Sequence, residues 1–510
     1  MKSKFLAALS MLAFSIAGVS QEMDLNLTNT QWQEDLEFLK KRVESTVPFY
    51  KNEKKEAFLK SYKGLISSSN NLDGMQVAIG IQRLLNTLND EGCNLPFFQT
   101  RLNMQVLPLK TYWFDDGLYI LDASSTYGAF IGEKIVKING VKVEDVFHRF
   151  IPHLNADNDY YRKYLFQAYG LMPSLLKSTG LSADLDKINL EFASGKKTTV
   201  KSEAISEYAK LRRGLPNDGV FDMTNSDHQN ENYWSEFVPN SKTLFVQIQK
   251  VVNHENGDSF SKFVDKIETL ISGGKVNRLI IDLRYGGGGN GFKLKSLTDL
   301  LRDSESINKK GNLFVLTSSA TRGTLVELAS ILSLNTKAIV VGQPTAEGAN
   351  TVGDTKYITL PNSGLRVSLT LTLWSTSWNQ DTDTFLKPDL NVAYSYEDKA
   401  NNRDPWINVV MNYNQQSLPK PISGALFEQL RGTYKVNGRR INLEYNNGKL
   451  SLTMSRKMKS FFEIQTELYF HSEGVLSTDI DDVFLHYSTN PSNGAFPNTL
   501  KWKGLSLIID

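Results

Sequence analysis

The stretch Asp282-Leu283-Arg284-Tyr285-Gly286-Gly287-Gly288-Gly289-Asn290-Gly291 carries the densest chemical signal in the sequence. Four consecutive glycines leave backbone N–H groups bare, and the flanking apolar segments read as a strand before and a helix after. Bare amides beside a helix N-terminus bind anions or stabilise a developing oxyanion, and Gly287, Gly288 and Gly289 are the candidates for that role. The same string satisfies G-x-G-x-x-G, one form of a dinucleotide site. A charged Asp-Leu-Arg at the strand end is atypical of that fingerprint, and a third reading is a glycine turn with a purely structural role. Cys93 is the single cysteine, which excludes an internal disulfide and a cysteine-cluster metal site. As a nucleophile it would need a thiolate, and no histidine motif accompanies it. The six histidines (His148, His153, His228, His254, His471 and His486) show no paired metal-ligand spacing and read mostly as surface residues. Trp374 and Trp378 either line a groove for peptide or sugar or pack as core and edge residues. No cofactor is expected.

The elements that position the glycine turn follow from apolar periodicity. Residues 243–345 alternate strand and helix: a strand over Leu244–Ile248, a helical stripe from Phe260 to Ile271 closed by Gly273-Gly274, and a continuous apolar strand at Leu279-Ile280-Ile281. Leu294, Leu297, Leu300 and Leu301 mark the helix after the turn. Strands at Leu313–Leu316 and Ala338–Val341 flank a helix marked by Leu325, Leu328, Ala329 and Leu332. This is a βαβαβ pattern with parallel pairing and right-handed crossovers. Upstream, residues 30–95 read as helices, with Trp32, Leu36, Leu39 and Val43 on one stripe and Val77, Ala78, Ile81, Leu84, Leu85 and Leu88 on another. Residues 105–200 read as a β-rich module, with strands at Leu118–Leu121, Lys134–Ile138 and Ile188–Phe192 and a hairpin turn at Asn139-Gly140. Tyr357–Leu360 and Leu365–Leu373 alternate in the antiparallel manner. Past a proline-bearing linker at 415–421, short strands with Gly and Asn turns predict a small all-β domain.

The 510 residues exceed one core. Lys+Arg number 57 and Asp+Glu 55, and Lys2 and Lys4 account for the difference, so the rest of the chain is neutral. That balance gives no electrostatic reason to expect nucleic acid or an anionic membrane as partner. Lys2, Lys4 and the apolar run Phe5–Val19, with small residues near Gln21, read as a secretory signal peptide, and no later run is long enough for a stable membrane span. The expected location is periplasmic or extracellular. The expected divisions are 1–20, 21–104, 105–205, 206–414 and 422–510.

Ile280-Ile281-Asp282-Leu283-Arg284-Tyr285-x-Gly287-Gly288-Gly289-Asn290 resembles the signature of the tail-specific (C-terminal processing) serine peptidases, in particular their tricorn-core-like bacterial branch. Val315-Leu316-Thr317, Gly342-Gln343-Pro344-Thr345, Leu360-Pro361-Asn362-Ser363-Gly364-Leu365, Pro388-Asp389-Leu390 and Arg403-Asp404-Pro405 continue the resemblance in order. Gly132–Gly140 resembles the ligand-groove region of a PDZ domain. The resemblance covers about residues 30–415. It implies a multidomain α/β chain: a helical N-terminal cap, a PDZ-like β module and a ClpP/crotonase-like core. The C-terminal all-β domain lies outside it.

The resemblance also assigns catalytic positions, and glycine occupies them. The serine slot falls on Gly323, the histidine slot on Gly92, the alternative lysine slot on Gly348, and the family's turn asparagine on Gly286. Glycine supplies neither a nucleophile nor a base, and losing either costs several orders of magnitude in rate. Thr324, three residues before Glu327, is a fallback nucleophile if the turn holds one extra residue, and otherwise the N-cap of its helix. Three functions stay open: a pseudopeptidase binding extended peptides or protein C-termini, an active serine-type peptidase using Thr324 or an unlocated base, and a scaffold acting through the β tail.

Overall fold

Helices in the N-terminal region begin where side chains take up otherwise orphaned amides. Thr28 and Gln31 form a reciprocal capping box at the start of the Asn29–Thr46 helix, and Asp73 and Gln76 do the same for Gly74–Asn86. The computed structural model describes residues 25–48, 52–208, 210–211, 228, 231–253, 259–413, 424–446, 449–457, 461–472, 474–480, 482–490 and 494–510. Residues 1–20, expected to be a signal peptide, and 415–421, expected to be a linker, lie outside these residues.

The chain forms two compact units, one drawn from residues up to 230 with 351–374 and 393–404, the other from 231–350, 375–392 and 405–510. In the first unit the two stripes expected of the helices are buried, from Trp32 to Val43 and from Val77 to Leu88. A sheet follows, ordered Leu109–Phe114, Gly117–Ala123, Lys134–Ile138, Lys187–Phe192, Lys197–Lys201. Asn139 (φ 48°) and Gly140 (φ 79°) make the tight turn from Lys134–Ile138 into Val141–Lys142, as their types demand. Ile188, Leu190 and Phe192 point into the core and the residues between them point out.

The hairpin of Lys356–Thr359 and Arg366–Leu369 belongs to this first unit. Buried Asp35 fixes it: its carboxylate accepts from the amides of Asn362 (2.7 Å) and Ser363 (2.9 Å), and Asn94 bridges to Ser368. The single strand expected over Leu365–Leu373 is two, Arg366–Leu369 and Thr372–Ser375. Between them Thr370 is fully buried and its hydroxyl donates to Asp90.

In the second unit the βαβαβ pattern is as the sequence reads. Thr243–Ile248, Arg278–Asp282, Leu313–Thr317 and Ile339–Gly342 pair in parallel, with antiparallel Tyr233–Val238 on one edge and parallel Leu390–Asn391 on the other. Glycine closes the Phe260–Ser272 helix, where Gly274 takes φ 67°. The Thr324–Asn335 helix is buried on nearly every face, more than its four-residue stripe predicts. Leu325, Leu328 and Leu332 face the sheet core, while Leu334 joins a second cluster with Trp378 and the interior of the C-terminal domain. A helix apolar all round requires cover on both sides, and here the C-terminal domain supplies the second.

That domain is an eight-stranded antiparallel sheet in sequential order. Val436 bridges Ile509, and the amides of Lys435 and Asp510 exchange hydrogen bonds (3.1 and 2.8 Å), so first and last strands join and no edge remains. Leu443, Leu452, Met454, Leu476, Leu485, Leu500 and Trp502 fill the interior. Two ion pairs, Lys337–Asp479 and Lys503–Asp389 (2.7 Å), fasten it to the α/β core. Trp378 is thereby a core residue under the Arg439 guanidinium (4.3 Å), while Trp374 is half-buried in the first unit.

His153 departs from the surface reading. It is 2% exposed, its Nε2 sits 3.2 Å from the Ser178 hydroxyl, and burial together with the nearby Arg83 charge lowers its pKa to about 4. The unfolded chain binds a proton near 6.5 and the folded chain does not until about 4, so stability is lost as pH falls through that window. The full loss is about 3 kcal/mol. Thermal unfolding of wild type and His153→Gln between pH 7.5 and 4 (about) is expected to show the variant losing less stability on acidification; parallel curves would contradict it.

Candidate functional site

The strand Arg278–Asp282 ends in a buried ion pair that sets the direction of everything after it. Asp282 and Arg284 are both buried, and the guanidinium meets the carboxylate in fork geometry, Nε to Oδ1 at 2.9 Å and Nη2 to Oδ2 at 2.9 Å. The Arg284 amide also donates to Oδ1, and Gln247 Nε2 donates to Oδ2 (3.3 Å). Trp406 lies 4.9 Å from the guanidinium and donates its Nε1–H to the Thr317 carbonyl. The carbonyls of Leu283 and Arg284 accept from the hydroxyls of Thr321 (2.8 Å) and Ser318 (2.6 Å), which tie the turn to the next strand-to-helix connection.

The glycines then pass between two other backbones. Gly289 bridges in parallel to Val251, with Val251 N donating to the Gly288 carbonyl and Asn290 N to the Val251 carbonyl, and Gly287 bridges to Arg322. A Cβ on Gly286 would stand 2.2 Å from the Gln249 carbonyl oxygen, one on Gly287 2.3 Å from Arg322 Cγ, and one on Gly289 2.4 Å from the Val251 carbonyl oxygen. Gly288 and Gly289 also take φ of 86° and 119°. The bridge to Arg322 engages the backbone on the Gly287–Gly288 side, and among the described residues the Gly289 amide donates no hydrogen bond, which leaves that end of the turn free for a ligand while all three glycines line it. They are half-buried or exposed, so a ligand oxygen can reach them. Phe292, 68% exposed, stands just beyond, its amide capped by Asn290 Oδ1 (3.0 Å).

Gly323 ends the connection from Leu313–Thr317 to the Thr324–Asn335 helix and is that helix's N-cap, with φ 55° and ψ −133°. This sharp, left-handed strand-to-helix elbow is the backbone that exposes a nucleophile in hydrolases. Its Cβ position is 3.0 Å from Gly288 N, so the elbow and the glycine amides face one spot. The elbow is held by a residue that sequence reading missed. Glu347 is buried, and its Oε1 accepts from the Gly323 amide at 2.6 Å. The neighbouring Gly348 has no room for a side chain: its Cβ would lie 1.8 Å from the Asp383 carbonyl oxygen. Thr324 is buried as the first helical residue, one place past the cap. Its hydroxyl has no hydrogen-bond partner, and so no base, among the described residues.

Gly92 and Cys93 belong to the first unit. Asp90 is buried there, with its carboxylate accepting from the Thr370 hydroxyl, the Gly92 amide (2.9 Å) and the Cys93 thiol (3.1 Å). Burial raises its pKa. Burial first, and then the Asp90 charge, push the Cys93 thiol well up, the opposite of what a nucleophilic thiolate needs. A Cβ on Gly92 would meet the methyls of Thr370 (2.3 Å) and Thr355 (2.8 Å), which fill the space a larger side chain would take. Among the described residues no group of three or more metal-ligating side chains occurs, and no helix is long and apolar enough to cross a membrane.

No family model and no curated protein matches the sequence. Solved structures do match in three dimensions. A crystal structure of a CPAF mutant superposes with a TM-score of 0.54 at 12% identity, covering 76% of this chain and 99% of that one. Mature CPAF complexed with lactacystin gives 0.52 at 13% identity, with the same coverage of both chains. The photosystem II D1 C-terminal processing protease gives 0.35 at 13%, covering 74% of this chain and 94% of that one. The chain therefore shares the CPAF fold.

Steric threading of the glycine turn has a direct consequence. Gly286 has ordinary φ, so Gly286→Ala tests space alone and is expected to cost about 3 kcal/mol or to abolish soluble expression. Gly180, with φ 71° and open space around its Cβ position, should lose only about 1 kcal/mol as alanine. Denaturant unfolding checks the contrast, and equal losses would refute it.

Proposed function

We propose that this chain is an exported tail-specific-peptidase-like protein that binds extended peptides or protein C-termini without cutting them. The observation that carries the reading is the elbow at Gly323: a nucleophile-type backbone set against the glycine turn, its Cβ position 3.0 Å from Gly288 N, with no side chain on it. The ordered family motifs and the fold shared with CPAF support the same lineage.

In this reading a ligand carbonyl or carboxylate oxygen accepts from the amides of Gly287, Gly288 and Gly289, beside the N-terminus of the Thr324–Asn335 helix. These contacts use backbone only, so they survive the loss of catalytic side chains. The sheet within 105–205, read as PDZ-like, would hold the main chain of an extended peptide along a strand edge. Two weak contacts on one ligand reinforce each other, and affinity in the micromolar range, on the order of −8 kcal/mol, is the expected ceiling. Hydrolysis is not expected because Gly92, Gly323 and Gly348 supply no proton acceptor or nucleophile, and Thr324 lacks a base.

The mature protein should leave unfolded protein substrates intact and remain unlabelled by a fluorophosphonate probe. Gly323→Ser should also stay unlabelled, at a cost of about 1–3 kcal/mol for a side chain at this φ. Labelling of wild type that disappears in Thr324→Ala would establish the active-peptidase reading instead. By calorimetry, peptides with free C-termini should bind, and both C-terminal amidation and Gly288→Val should weaken them. Binding indifferent to both changes, or no binding to any peptide, would transfer the function to the C-terminal barrel.

A further inference from the structure

The outward face of the first unit's sheet is cationic in a way that works against its own folding. Lys187 on one strand lies directly opposite Lys201 on the next, and Lys137 lies directly opposite Lys142. Like charges directly opposed across antiparallel strands destabilise the pair. The buried side chains of these strands, Ile188, Leu190 and Val200, alternate with the lysines, so all these charges share the solvent face. One carboxylate stands among them: Glu191, which pairs with Lys137 (3.5 Å) and Lys197 (3.3 Å). Asp184, at the entry to the strand, is occupied with the amides of Asp186 (2.7 Å) and Lys187 (3.3 Å). Among the described residues Lys142, Lys187 and Lys201 form no ion pair. The chain beyond residue 20 is electrically neutral, so this face is a local concentration of charge and not an overall bias.

We propose that this face is a docking surface for an acidic polypeptide segment in extended conformation, separate from the glycine turn. Charge complementarity identifies the partner's chemistry, and the sheet's geometry identifies its shape. A strand presents alternate side chains about 6.8 Å apart on one side. An extended segment that is acidic at every second position places every other acid opposite Lys197 and Lys201, with the one between facing Thr199, and the cross-strand lysines widen the target. The Lys197–Lys201 strand is the last in the sheet order, and its Lys201 amide donates to the Tyr127 hydroxyl (2.9 Å), so the segment lies across the lysine face rather than extending the sheet. The outward positions between the lysines hold Asn189 and Thr199, hydrogen-bonded to each other at 2.7 Å, which suit a hydrated polypeptide better than a lipid surface. Edge lysines alone also deter aggregation, but that role gives no reason to oppose Lys142 to Lys137, which sits on an interior strand of the sheet.

The test pairs a stability measurement with a binding one on the full mature chain. Lys201→Glu and Lys142→Glu each convert a like-charge pair into an attractive one. The thermal midpoint is expected to rise by about 1 °C in each. Binding of an N-acetylated, C-amidated ten-residue peptide alternating Glu and Thr, followed by fluorescence anisotropy in about 50 mM NaCl, is expected to weaken at least tenfold in each variant and to weaken for wild type in about 500 mM NaCl. A Gln/Thr peptide should not bind. Both peptide ends are blocked, so the measurement is independent of C-terminal recognition. Unchanged affinity in the charge-reversed variants, or no binding of the acidic peptide by wild type, overturns the proposal. Binding of phosphatidylglycerol vesicles without binding of the peptide overturns it too and makes the partner a membrane.

Discussion

The approach of three backbones to one another, with no side chain between them, is the constraint on which the site depends. The turn at 286–289 lies against Gln249 and Val251 on one side and Arg322 on the other, at separations where a Cβ on Gly286, Gly287 or Gly289 would overlap a carbonyl or a side-chain stem. Glycine is required there by space and, at Gly288 and Gly289, by positive φ as well. The Asp282–Arg284 ion pair, buried against Trp406, aims the chain into that slot. Its fork geometry and the additional bonds from Gln247 and the Arg284 amide satisfy the carboxylate, and removing one partner from such a pair typically costs about 3–5 kcal/mol. The result is a run of backbone amides whose positions are fixed by packing, with the Gly289 N–H left without a partner among the described residues.

The same packing explains why the positions that the family resemblance assigns to catalysis are more than single substitutions away from it. Each is closed by a different neighbour: Gly92 by two threonine methyls, Gly348 by the Asp383 carbonyl, Gly286 by the Gln249 carbonyl. At Gly323 a Cβ would stand 3.0 Å from Gly288 N at a φ of 55°, and there the Glu347 carboxylate already holds the elbow amide. Restoring a nucleophile would leave it without a base, and restoring a base would require backbone or core rearrangement in either unit.

Much of the architecture was legible because the core obeys simple periodicities. Leu279-Ile280-Ile281 is apolar without alternation because both faces of this interior parallel strand are buried, and Asn139-Gly140 turns because both residues accept positive φ. What escaped was long-range. The break after Leu369 depends on Thr370 turning inward to Asp90, a residue 280 positions away. The burial of the Thr324–Asn335 helix on both faces depends on the barrel, which periodicity within the helix cannot announce. Of the site, the glycine turn and the elbow position could be named from residue types and motif order. Glu347 could not, because a lone glutamate in a Thr-Ala-Glu-Gly string carries no signal until its carboxylate is found on the Gly323 amide. Thr324 follows the cap where an N-cap threonine was one of the expectations, since glycine alone accommodates the elbow's φ without strain.

Hydrogen exchange at the glycine turn tests the central claim most directly. With the mature protein alone, the amides of Gly287, Gly288 and Gly289 should exchange, Gly289 fastest, since it is exposed and donates no hydrogen bond among the described residues. Adding a saturating unstructured peptide with a free C-terminus should slow exchange at these amides, and mass spectrometry of the peptide afterwards should recover it intact. Peptide bound with no protection at the turn, or peptide recovered as fragments that Thr324→Ala abolishes, would contradict the account.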